Sequence, residues 1–398
     1  MIKSHRILYI TPFFNYPPRD GASLRSVRLF ECLIKQNDVD ILTYNNKSIS
    51  IELLERFSQS TFHFFKSSFE APKKLSFLQR LFSKSLPGFA SHASKSIAND
   101  IDKIILKNGH YDIIYFSTQL MGQAKLHLNS RIYSIIDLYD IYTAYSISKY
   151  KNLELYRLHY WLFRIEAIRI KRLEQKIFNI FDLICATCEE NVRRVKIMKR
   201  DANVIEISNG TISPKAISKD RGNSLLMVGN FEYSGNLEGI KWFLEKVWSS
   251  LKDKTDSTLT LVGKYPDHLK QLVAKDKKIH LTGLVSDLSP YYSDAGCVIL
   301  PLFNDGGTKT KLIEAMSYGI PIVSTNIGAK GFELIETIYK TDDPKVFSEY
   351  ILKVIKNDYQ NESLNSTKKF VIENYSWEVI GRKLNYFLKN IPLDRVED

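Results

Sequence analysis

The stretch Val298–Thr325, which reads VILPLFNDGGTKTKLIEAMSYGIPIVST, decides the fold class of this chain. An apolar run at 298–302 is followed by a glycine loop, a segment with helical spacing, Gly319 and a second apolar run at 320–324. Strand, loop, helix, glycine stop and strand, in this order, form the repeating unit of a parallel sheet that helices cover on both faces. We therefore predict an α/β fold.

The glycine loop of this stretch has the chemistry of an anion site. Gly306 and Gly307 allow the backbone to approach a ligand closely, and a helix that begins near Thr308 offers unpaired amide donors at the positive end of its dipole. Lys309 and Lys311 add positive charge. An ordinary turn with solvated lysines explains the loop alone equally well. A Walker-type phosphate loop is disfavoured because its Gly-Lys-Ser/Thr ending is absent.

The same alternation of short apolar strands and helical segments extends over most of the chain. A first group of strands is predicted at 7–11, 39–44, 113–116, 132–136, 183–186 and 204–207, and a second group at 224–229, 259–262, 279–282, 298–302 and 320–324. Two groups of this kind predict two Rossmann-like parallel sheets in tandem.

The domain boundaries follow from a polar stretch at 211–223, which has the composition of a linker. We predict an N-terminal domain at 1–212 and a C-terminal domain at 213–375. An amphipathic helix at 376–398 needs a surface to cover with its apolar side.

Composition excludes several classes of protein. With 44% hydrophobic and 25% charged residues, the chain has the make-up of a globular protein rather than of a disordered or fibrous one. Its four scattered cysteines are typical of a reducing compartment rather than of a disulfide framework. No apolar stretch has the length of a signal sequence core or of a membrane span. We therefore expect a cytoplasmic protein whose membrane contact, if present, is peripheral.

The net charge of +12 calls for an anionic partner: nucleic acid, a phosphorylated substrate or an anionic membrane. Thirteen basic and six acidic residues lie between 149 and 200, so a local excess of +7 belongs to the first domain. We expect Arg164, Arg169, Lys171 and Arg172 to face an anionic membrane there, which allows a position at the inner face of the plasma membrane. No signature of a nucleic-acid-binding fold is present, so no nucleic-acid partner is predicted.

The stretch quoted first closely resembles the donor-site signature of glycosyltransferase family 4, also called glycosyl transferases group 1, a family of retaining enzymes with the GT-B fold. Its Leu-Glu-Ala-Met helix start and Gly-x-Pro-Val-Val strand correspond here to residues 312–316 and 319–323. The segments 227–231, together with Gly235 and Asn236, and 281–292 are similar to further family motifs, as are 208–210 and 17–25. The resemblance implies two Rossmann-like domains facing a cleft, with an acceptor-binding domain at 1–212 and a nucleotide-sugar donor-binding domain at 213–375. It also implies that the C-terminal helix at 376–398 crosses back and packs on the first domain.

The resemblance also implies roles for individual residues. Glu314 would bind the ribose hydroxyls of a nucleotide sugar, and the loop amides would hold its diphosphate. The implied donor-binding set is Gly229, Gly283, Leu284, Val285, Gly306, Gly307, Thr308, Thr310 and Glu314. Asp20, Gly21 and Arg25 are the implied acceptor-binding residues, and Asp140, Lys309 and Lys311 the implied catalytic ones. The first carboxylate of the family's Glu-x7-Glu pair is replaced by Gly306, which leaves selection of the sugar by that group in doubt.

The expected reaction is the transfer of a sugar, with retention of configuration, from a nucleotide-diphosphate donor to a glycan or lipid-linked acceptor in cell-surface polysaccharide synthesis. In a retaining enzyme of this type the protein mainly stabilises the leaving diphosphate, so neither a cofactor nor a metal is predicted. Two alternatives stay open: another nucleotide-dependent enzyme, such as a nucleotide-sugar epimerase or a dinucleotide oxidoreductase, and a basic nucleic-acid-binding protein. Against the first alternative, this chain does not have Gly-x-Gly-x-x-Gly after its first predicted strand.

Overall fold

A computed structural model describes residues 5–12, 14–16, 18, 21–44, 49, 51–65, 86, 91–151, 154, 158–212, 214, 222–303, 310–356 and 361–391 of the 398-residue chain. The chain forms two compact units. The first contains the residues up to Ser208 and those from Ile380 onward, and the second contains most of the chain between Asn209 and Val379.

The sheet of the first unit is parallel throughout the part that the structure describes, with the strand order β3-β2-β1-β4-β5-β6-β7. Its strands are β1 (Arg6–Ile10), β2 (Asp38–Thr43), β3 (Phe62–Phe64), β4 (Ile113–Phe116), β5 (Tyr133–Leu138), β6 (Leu183–Ala186) and β7 (Val204–Glu206). Each residue of β4 is buried, as expected of a central strand with helices on both faces.

The helices of the first unit follow the strands in the βα alternation that the sequence predicts. They are α1 (Gly21–Leu33), α2 (Ile51–Arg56), α3 (Ser91–Asn108), α4 (Gln119–Gly122), α5 (Tyr142–Lys151), α6 (Leu158–Ile180) and α7 (Glu189–Met198). The last turn of α4 runs into a 3₁₀ turn at Gln123–His127. The buried carboxylate of Glu174, on α6, accepts hydrogen bonds from the first amides of α5 and so caps that helix.

The second unit repeats this architecture with the parallel strand order β10-β9-β8-β11-β12-β13. Its strands are β8 (Ser224–Val228), β9 (Leu259–Val262), β10 (Ile279–Gly283), β11 (Ala295–Leu300), β12 (Ile322–Ser324) and β13 (Ile338–Lys340). Its helices are α8 (Ser234–Trp242), which continues as a π-helix at Phe243–Trp248 and an α-turn at Ser249–Leu251, then α9 (Asp267–Val273), α10 (Ser289–Asp294), α11 (Thr310–Ser317), α12 (Pro344–Ile355) and α13 (Asn361–Tyr375).

Two hydrophobic clusters lie on the two faces of the second sheet. One contains side chains of α8 and α12, such as Ile240 and Phe347, and the other contains side chains of α11, such as Leu312 and Met316. Alpha-helix α8 approaches the end of β11 so closely that a Cβ on Gly239 would lie 1.8 Å from the carbonyl oxygen of Pro301. Only glycine fits at this contact, which fixes α8 against the sheet.

The last helix, α14 (Trp377–Lys389), begins in the second unit and continues into the first. Within the first unit, Asn385 donates to the carbonyl oxygen of Cys32 and accepts from Asn37, at 3.0 and 2.8 Å. The Nε2 atom of His5 lies 3.0 Å from the carbonyl oxygen of Leu388. The helix therefore packs against the strand-entry side of β1 and the end of α1.

The two parallel sheets confirm the predicted fold class. The eleven predicted strands are all present, with ends that differ by at most three residues from the prediction. The sequence prediction missed β3 and β13, two short strands at sheet edges, because His63 in β3 and Lys340 in β13 leave no continuous apolar run of three residues. Among the described residues, no helix has the combined length and apolar character that a membrane crossing requires.

Candidate functional site

Glycines stand where three neighbouring strands of the second sheet end. Gly229 follows β8, Gly263 follows β9, and β10 ends at Gly283. A Cβ on Gly263 would lie 2.0 Å from the carbonyl oxygen of Gly229, and Gly263 and Gly283 have φ values of +129° and +75°. The carboxyl edge of this sheet is therefore a bare backbone surface, and this is the edge at which parallel α/β sheets bind ligands.

The ammonium group of Lys311 lies over this surface. Its Nζ atom donates a 2.8 Å hydrogen bond to Oδ1 of Asn236, and the amide of Asn236 donates in turn to the carbonyl oxygen of Asn230, at 2.7 Å. A Cβ on Gly229 would lie 2.6 Å from that Nζ atom. The hydrogen bond to Asn236 and the space left by the absence of a side chain at Gly229 thus determine where the Lys311 ammonium group lies.

One helical turn further along α11, Glu314 is held by a tyrosine. The hydroxyl of Tyr292, a buried residue of α10, donates a 3.1 Å hydrogen bond to Oε2 of Glu314. Burial raises the pKa of Glu314, while the hydrogen bond from Tyr292 and the charge of Lys311 act in the opposite direction. The carboxylate is therefore oriented, and among the described residues it accepts this one hydrogen bond.

A second tyrosine supports the first. The rings of Tyr292 and Tyr318 are stacked with centroids 4.9 Å apart, and the hydroxyl of Tyr318 donates to the hydroxyl oxygen of Ser289 at 3.0 Å. Because Ser289 begins α10 and Tyr318 follows α11, these contacts join the two helices on either side of Glu314. The position of the Glu314 carboxylate is thus fixed by packing as well as by a hydrogen bond.

Three other predicted donor residues lie in the same unit. The Thr310 hydroxyl, at the start of α11, accepts a 3.2 Å hydrogen bond from the amide of Asn209. Leu284 is exposed directly after β10, whereas Val285 is partly buried against the cluster beneath α11. The structure brings Gly229, Lys311 and Glu314 together, with Thr310 at the N-terminus of the same helix as the last two.

Five of the predicted site residues lie outside the described part of the chain. Four belong to the glycine loop, and the fifth belongs to the loop after β1: Gly306, Gly307, Thr308, Lys309 and Asp20.

In the first unit, the candidate residues lie at the carboxyl edge of the sheet. The hydroxyl of Tyr139, which follows β5, donates to the carbonyl oxygen of Ala22 in the first turn of α1, at 3.0 Å. Gly21 begins α1 and is exposed, with open space where a side chain would be. Asp140 follows Tyr139, is partly buried, and accepts from the amide of Ile141 through Oδ1 at 3.2 Å. Gly21 and Asp140 thus flank the contact between Tyr139 and α1.

Arg25 has a different role from the acceptor contact that the sequence predicts. It is 1% exposed, and its Nε and Nη2 atoms donate to the two carboxylate oxygens of Asp137, both at 2.7 Å. It also donates to the carbonyl oxygens of Ser208 and Ile207, at 3.0 and 2.7 Å. Its guanidinium joins α1 to β5 and to the end of β7, so it is committed to the fold rather than presented to an acceptor.

The cysteines have structural surroundings. Cys185 is buried in β6, and Cys188 is partly buried before α7. Burial raises the pKa of the Cys188 thiol. Within the described ranges, no group of three or more His, Cys, Asp or Glu side chains has the arrangement of a metal site.

Three residues of the candidate site were not assigned a role from the sequence: Asn236, Gly263 and Tyr292. Asn236 and Tyr292 belong to stretches that resemble family motifs, so the sequence places them near the predicted site but does not show what they contact. The contact of each depends on a residue that is distant in the sequence, Lys311 for Asn236 and Glu314 for Tyr292.

Sequence comparison finds a family match within the second unit. Residues 222–357 match the family Glycosyl transferases group 1. An uncharacterized 44.6 kDa protein in the cps region of Klebsiella pneumoniae is 28% identical over 165 residues, which are 38% of this chain and 42% of that protein. The match with this curated relative thus spans less than half of its length.

Comparison with solved structures extends over nearly the whole chain. Sucrose-phosphate synthase from Thermosynechococcus elongatus has a TM-score of 0.72 at 16% sequence identity, with 97% of this chain and 98% of that chain covered. The Anabaena protein HepE, in complex with UDP and glucose, has a TM-score of 0.68 at 13% identity, with coverage of 97% and 100%. At these identities the likeness shows the fold, which is GT-B as predicted.

Proposed function

We propose, from the match of residues 222–357 to the family Glycosyl transferases group 1, that the chain transfers a sugar from a nucleoside-diphosphate donor to a glycan or lipid-linked acceptor, with retention of configuration. The product would be a cell-surface polysaccharide or a lipid-linked glycan. The relative in the Klebsiella cps region supports this assignment. The complex of HepE with UDP and glucose makes UDP the first nucleotide to test.

The observation that carries the proposal is the oriented, partly buried carboxylate of Glu314. Its hydrogen bond from Tyr292 leaves acceptor capacity on both carboxylate oxygens. Two neighbouring hydroxyls of a ribose are donors of the kind that such a carboxylate binds. Lys311 lies three positions earlier on the same helix, so a diphosphate attached to that ribose would meet the ammonium group.

The chemistry proposed for this site is mainly electrostatic. As the diphosphate leaves, negative charge develops on its oxygens, and the Lys311 ammonium and the amides at the start of α11 would stabilise that charge. Asn236 holds the ammonium group in place before the reaction, so little reorganisation is needed. The proton of the acceptor hydroxyl would pass to an oxygen of the donor phosphate, on the face from which the leaving group departs.

The acceptor is proposed to bind in the first unit, near Gly21 and Asp140. The exposed backbone of Gly21 allows a close approach, and Asp140 supplies a carboxylate beside it at the carboxyl edge of the sheet. A lipid-linked acceptor would bring the first unit, with its basic helices, to an anionic membrane. No metal and no organic cofactor are proposed, because the described residues offer cationic and backbone donors to the diphosphate.

The experiment is a thermal-shift panel of UDP, GDP, ADP and their sugar conjugates, followed by transfer assays with the nucleotide that protects best. We expect one nucleoside diphosphate to raise the melting temperature of the wild type, and Glu314→Ala to abolish both this protection and sugar transfer. Glu349→Ala, which removes an exposed carboxylate on α12, is the matched control. The proposal is wrong if no nucleotide protects the wild type, or if Glu314→Ala transfers sugar at the normal rate.

A further inference from the structure

Helix α6 exposes a row of large apolar side chains to solvent. Leu158, Trp161, Ile165 and Ile168 are 70%, 48%, 51% and 46% exposed. Their spacing of three, four and three residues places them on one side of the N-terminal half of the helix. We call these four residues the α6 apolar stripe. Single exposed apolar residues are common on protein surfaces, but a continuous row on one helix face marks an interaction site.

The stripe is additional to the face with which α6 contributes to the core. Ile170, Ile177 and Phe178 on the opposite side of the helix are buried in the core of the first unit. Since α6 already has a complete buried face, the stripe is not required for packing of the helix. The exposed stripe is therefore available to a partner.

The charges on α6 are separated in a way that identifies this partner. The two acidic residues of the helix, Glu166 and Glu174, are 3% and 0% exposed. Arg164, Lys171 and Arg172 are exposed, so the solvent face of α6 has basic but no acidic side chains. The guanidinium of Arg164 lies over the Trp161 ring, 5.2 Å from its centroid. An apolar row flanked by cations, with an aromatic ring at its centre, is complementary to the interface of an anionic bilayer.

We propose that α6 is a membrane-docking helix that lies along an anionic lipid surface, with the α6 apolar stripe inserted among the acyl chains. Trp161 provides the interfacial ring, and Arg164, Lys171 and Arg172 bind lipid phosphates. The proposal deepens the proposed function, because a lipid-linked acceptor requires the enzyme at a membrane. It concerns a helix that has none of the residues proposed to bind the donor, so the two can be tested separately.

The structure also refines the basic set that the sequence suggests. Arg169 is only partly exposed, and burial lowers its pKa. It is therefore excluded from the lipid-binding set, and a charge reversal at this position would disturb the packing of the helix.

The test is co-sedimentation of the full chain with vesicles of phosphatidylcholine alone and of phosphatidylcholine with about 30% phosphatidylglycerol, an anionic lipid. The apolar variant is Trp161→Ser with Ile165→Ser, and its control is Leu106→Ser with Ile197→Ser, two exposed apolar residues on α3 and α7. The charge variant is Lys171→Glu with Arg172→Glu, and its control is Lys103→Glu with Lys196→Glu on the same two other helices. The melting temperature with and without UDP is measured for each protein.

We expect the wild type to bind the anionic vesicles, with weaker binding at high salt, and each α6 variant to bind about tenfold more weakly. Both controls should bind as the wild type does, and UDP should protect all five proteins equally. The inference is overturned if the wild type does not bind anionic vesicles or if the α6 variants bind them normally. It is equally overturned if the apolar variant, Trp161→Ser with Ile165→Ser, abolishes self-association of the protein while its vesicle binding is unchanged. A protein that binds vesicles through α6 but no nucleotide would refute only the proposed function.

Discussion

The hydroxyl of Tyr292 donates its hydrogen bond to the carboxylate of Glu314, at 3.1 Å, from the neighbouring helix. The pair joins α10 to α11, and the stacked ring of Tyr318 holds Tyr292 from the other side. Within the described residues this partly buried carboxylate accepts one hydrogen bond, which is costly for the folded protein, and such a cost is typical of a functional position. The contact therefore links the stability of the second unit to its proposed ligand binding.

Removal of this hydrogen bond should weaken nucleotide binding without loss of the fold. Tyr292→Phe keeps the stacked ring and deletes only the donor, so Glu314 loses its orientation. We expect the Kd for UDP to rise about tenfold, the size expected for one hydrogen bond to a charged group. Isothermal titration calorimetry measures the change, and Tyr291→Phe in the same helix is the control. An unchanged Kd for Tyr292→Phe would show that Glu314 needs no such support.

The ionisation of Glu314 should give UDP binding a pH dependence of its own. Burial raises the pKa of Glu314, so its carboxylate takes up a proton at a higher pH than an ordinary glutamate does. The ionised form accepts the ribose hydroxyls, so affinity should fall as the pH falls through this raised pKa. Glu314→Gln removes the titrating group. The difference between the two binding curves from pH 5 to 8 isolates this effect from protonation of the nucleotide, and two parallel curves would contradict the assignment.

The same raised pKa determines a stability effect. The folded protein binds the Glu314 proton more tightly than the unfolded chain does, so stability decreases as the pH rises from the ordinary glutamate range through the raised pKa. Glu314→Gln should therefore be at least as stable as the wild type at pH 7.5 without ligand. Urea denaturation at pH 5 and pH 7.5 measures this, and a strongly destabilised Glu314→Gln protein would assign the residue to the fold instead.

Gly229 should be required for the position of Lys311 rather than for the fold. In Gly229→Ala, the new methyl group would lie 2.6 Å from the Lys311 ammonium, the mobile end of a long side chain, which can move away. We expect nearly normal stability and about tenfold weaker UDP binding, since one charge-assisted contact to the diphosphate is displaced.

Gly239→Ala is the contrasting variant for this test. Its methyl group would lie 1.8 Å from the carbonyl oxygen of Pro301, which is backbone and cannot move without shifting α8 from the sheet. The melting temperature should fall clearly in Gly239→Ala and little in Gly229→Ala. The reverse order would contradict the positions of the two glycines.

The buried pair of Arg25 and Asp137 should dominate the stability of the first unit. Arg25→Ala leaves the fully buried Asp137 carboxylate without its cation, which should cost about 3–5 kcal/mol of unfolding free energy. Arg193→Ala, which breaks an exposed pair with Glu189, should change stability little. Urea denaturation followed by circular dichroism compares the two. If Arg25→Ala kept the stability of the wild type and lost only the binding of the acceptor, Arg25 would be a ligand contact.

Chelation should leave donor binding unchanged. The proposed stabilisation of the diphosphate comes from Lys311 and from backbone amides, so treatment with EDTA should not alter the protection that UDP gives. Thermal shifts with EDTA, with added Mg²⁺ and with added Mn²⁺ make the comparison. If UDP raised the melting temperature only in the presence of Mg²⁺ or Mn²⁺, the donor site would include a metal ion and the prediction would be wrong.

The sequence was sufficient for the sheets because their strands are short, apolar and regularly separated by helices. For β4, β6 and β9 the predicted ends coincide with the observed ones. For β11 the prediction starts three residues late, because the small residues Ala295, Gly296 and Cys297 give the start of this buried strand little hydrophobic signal. Local pattern identifies such elements without identifying their neighbours.

The site was only partly predictable for the same reason. Glu314 and Lys311 lie in one continuous motif, so the sequence shows them together. The role of Arg25 depends on Asp137, which is 112 positions away, and a basic residue near a glycine loop has the same local pattern whether it is exposed or buried. Likewise, nothing local shows that Asn236 reaches Lys311, 75 positions further on.

The contacts of α14 have a consequence for the order in which the protein can mature during synthesis. Asn385 hydrogen-bonds to Asn37 and to the carbonyl group of Cys32, which leave the ribosome before any part of the second unit does. The sheet of the first unit can assemble early, but the side of α1 that receives Asn385 stays open while the entire second unit is translated. The nascent first unit therefore remains unfinished until α14 has been made, and the second unit, although made later, can reach its native packing first.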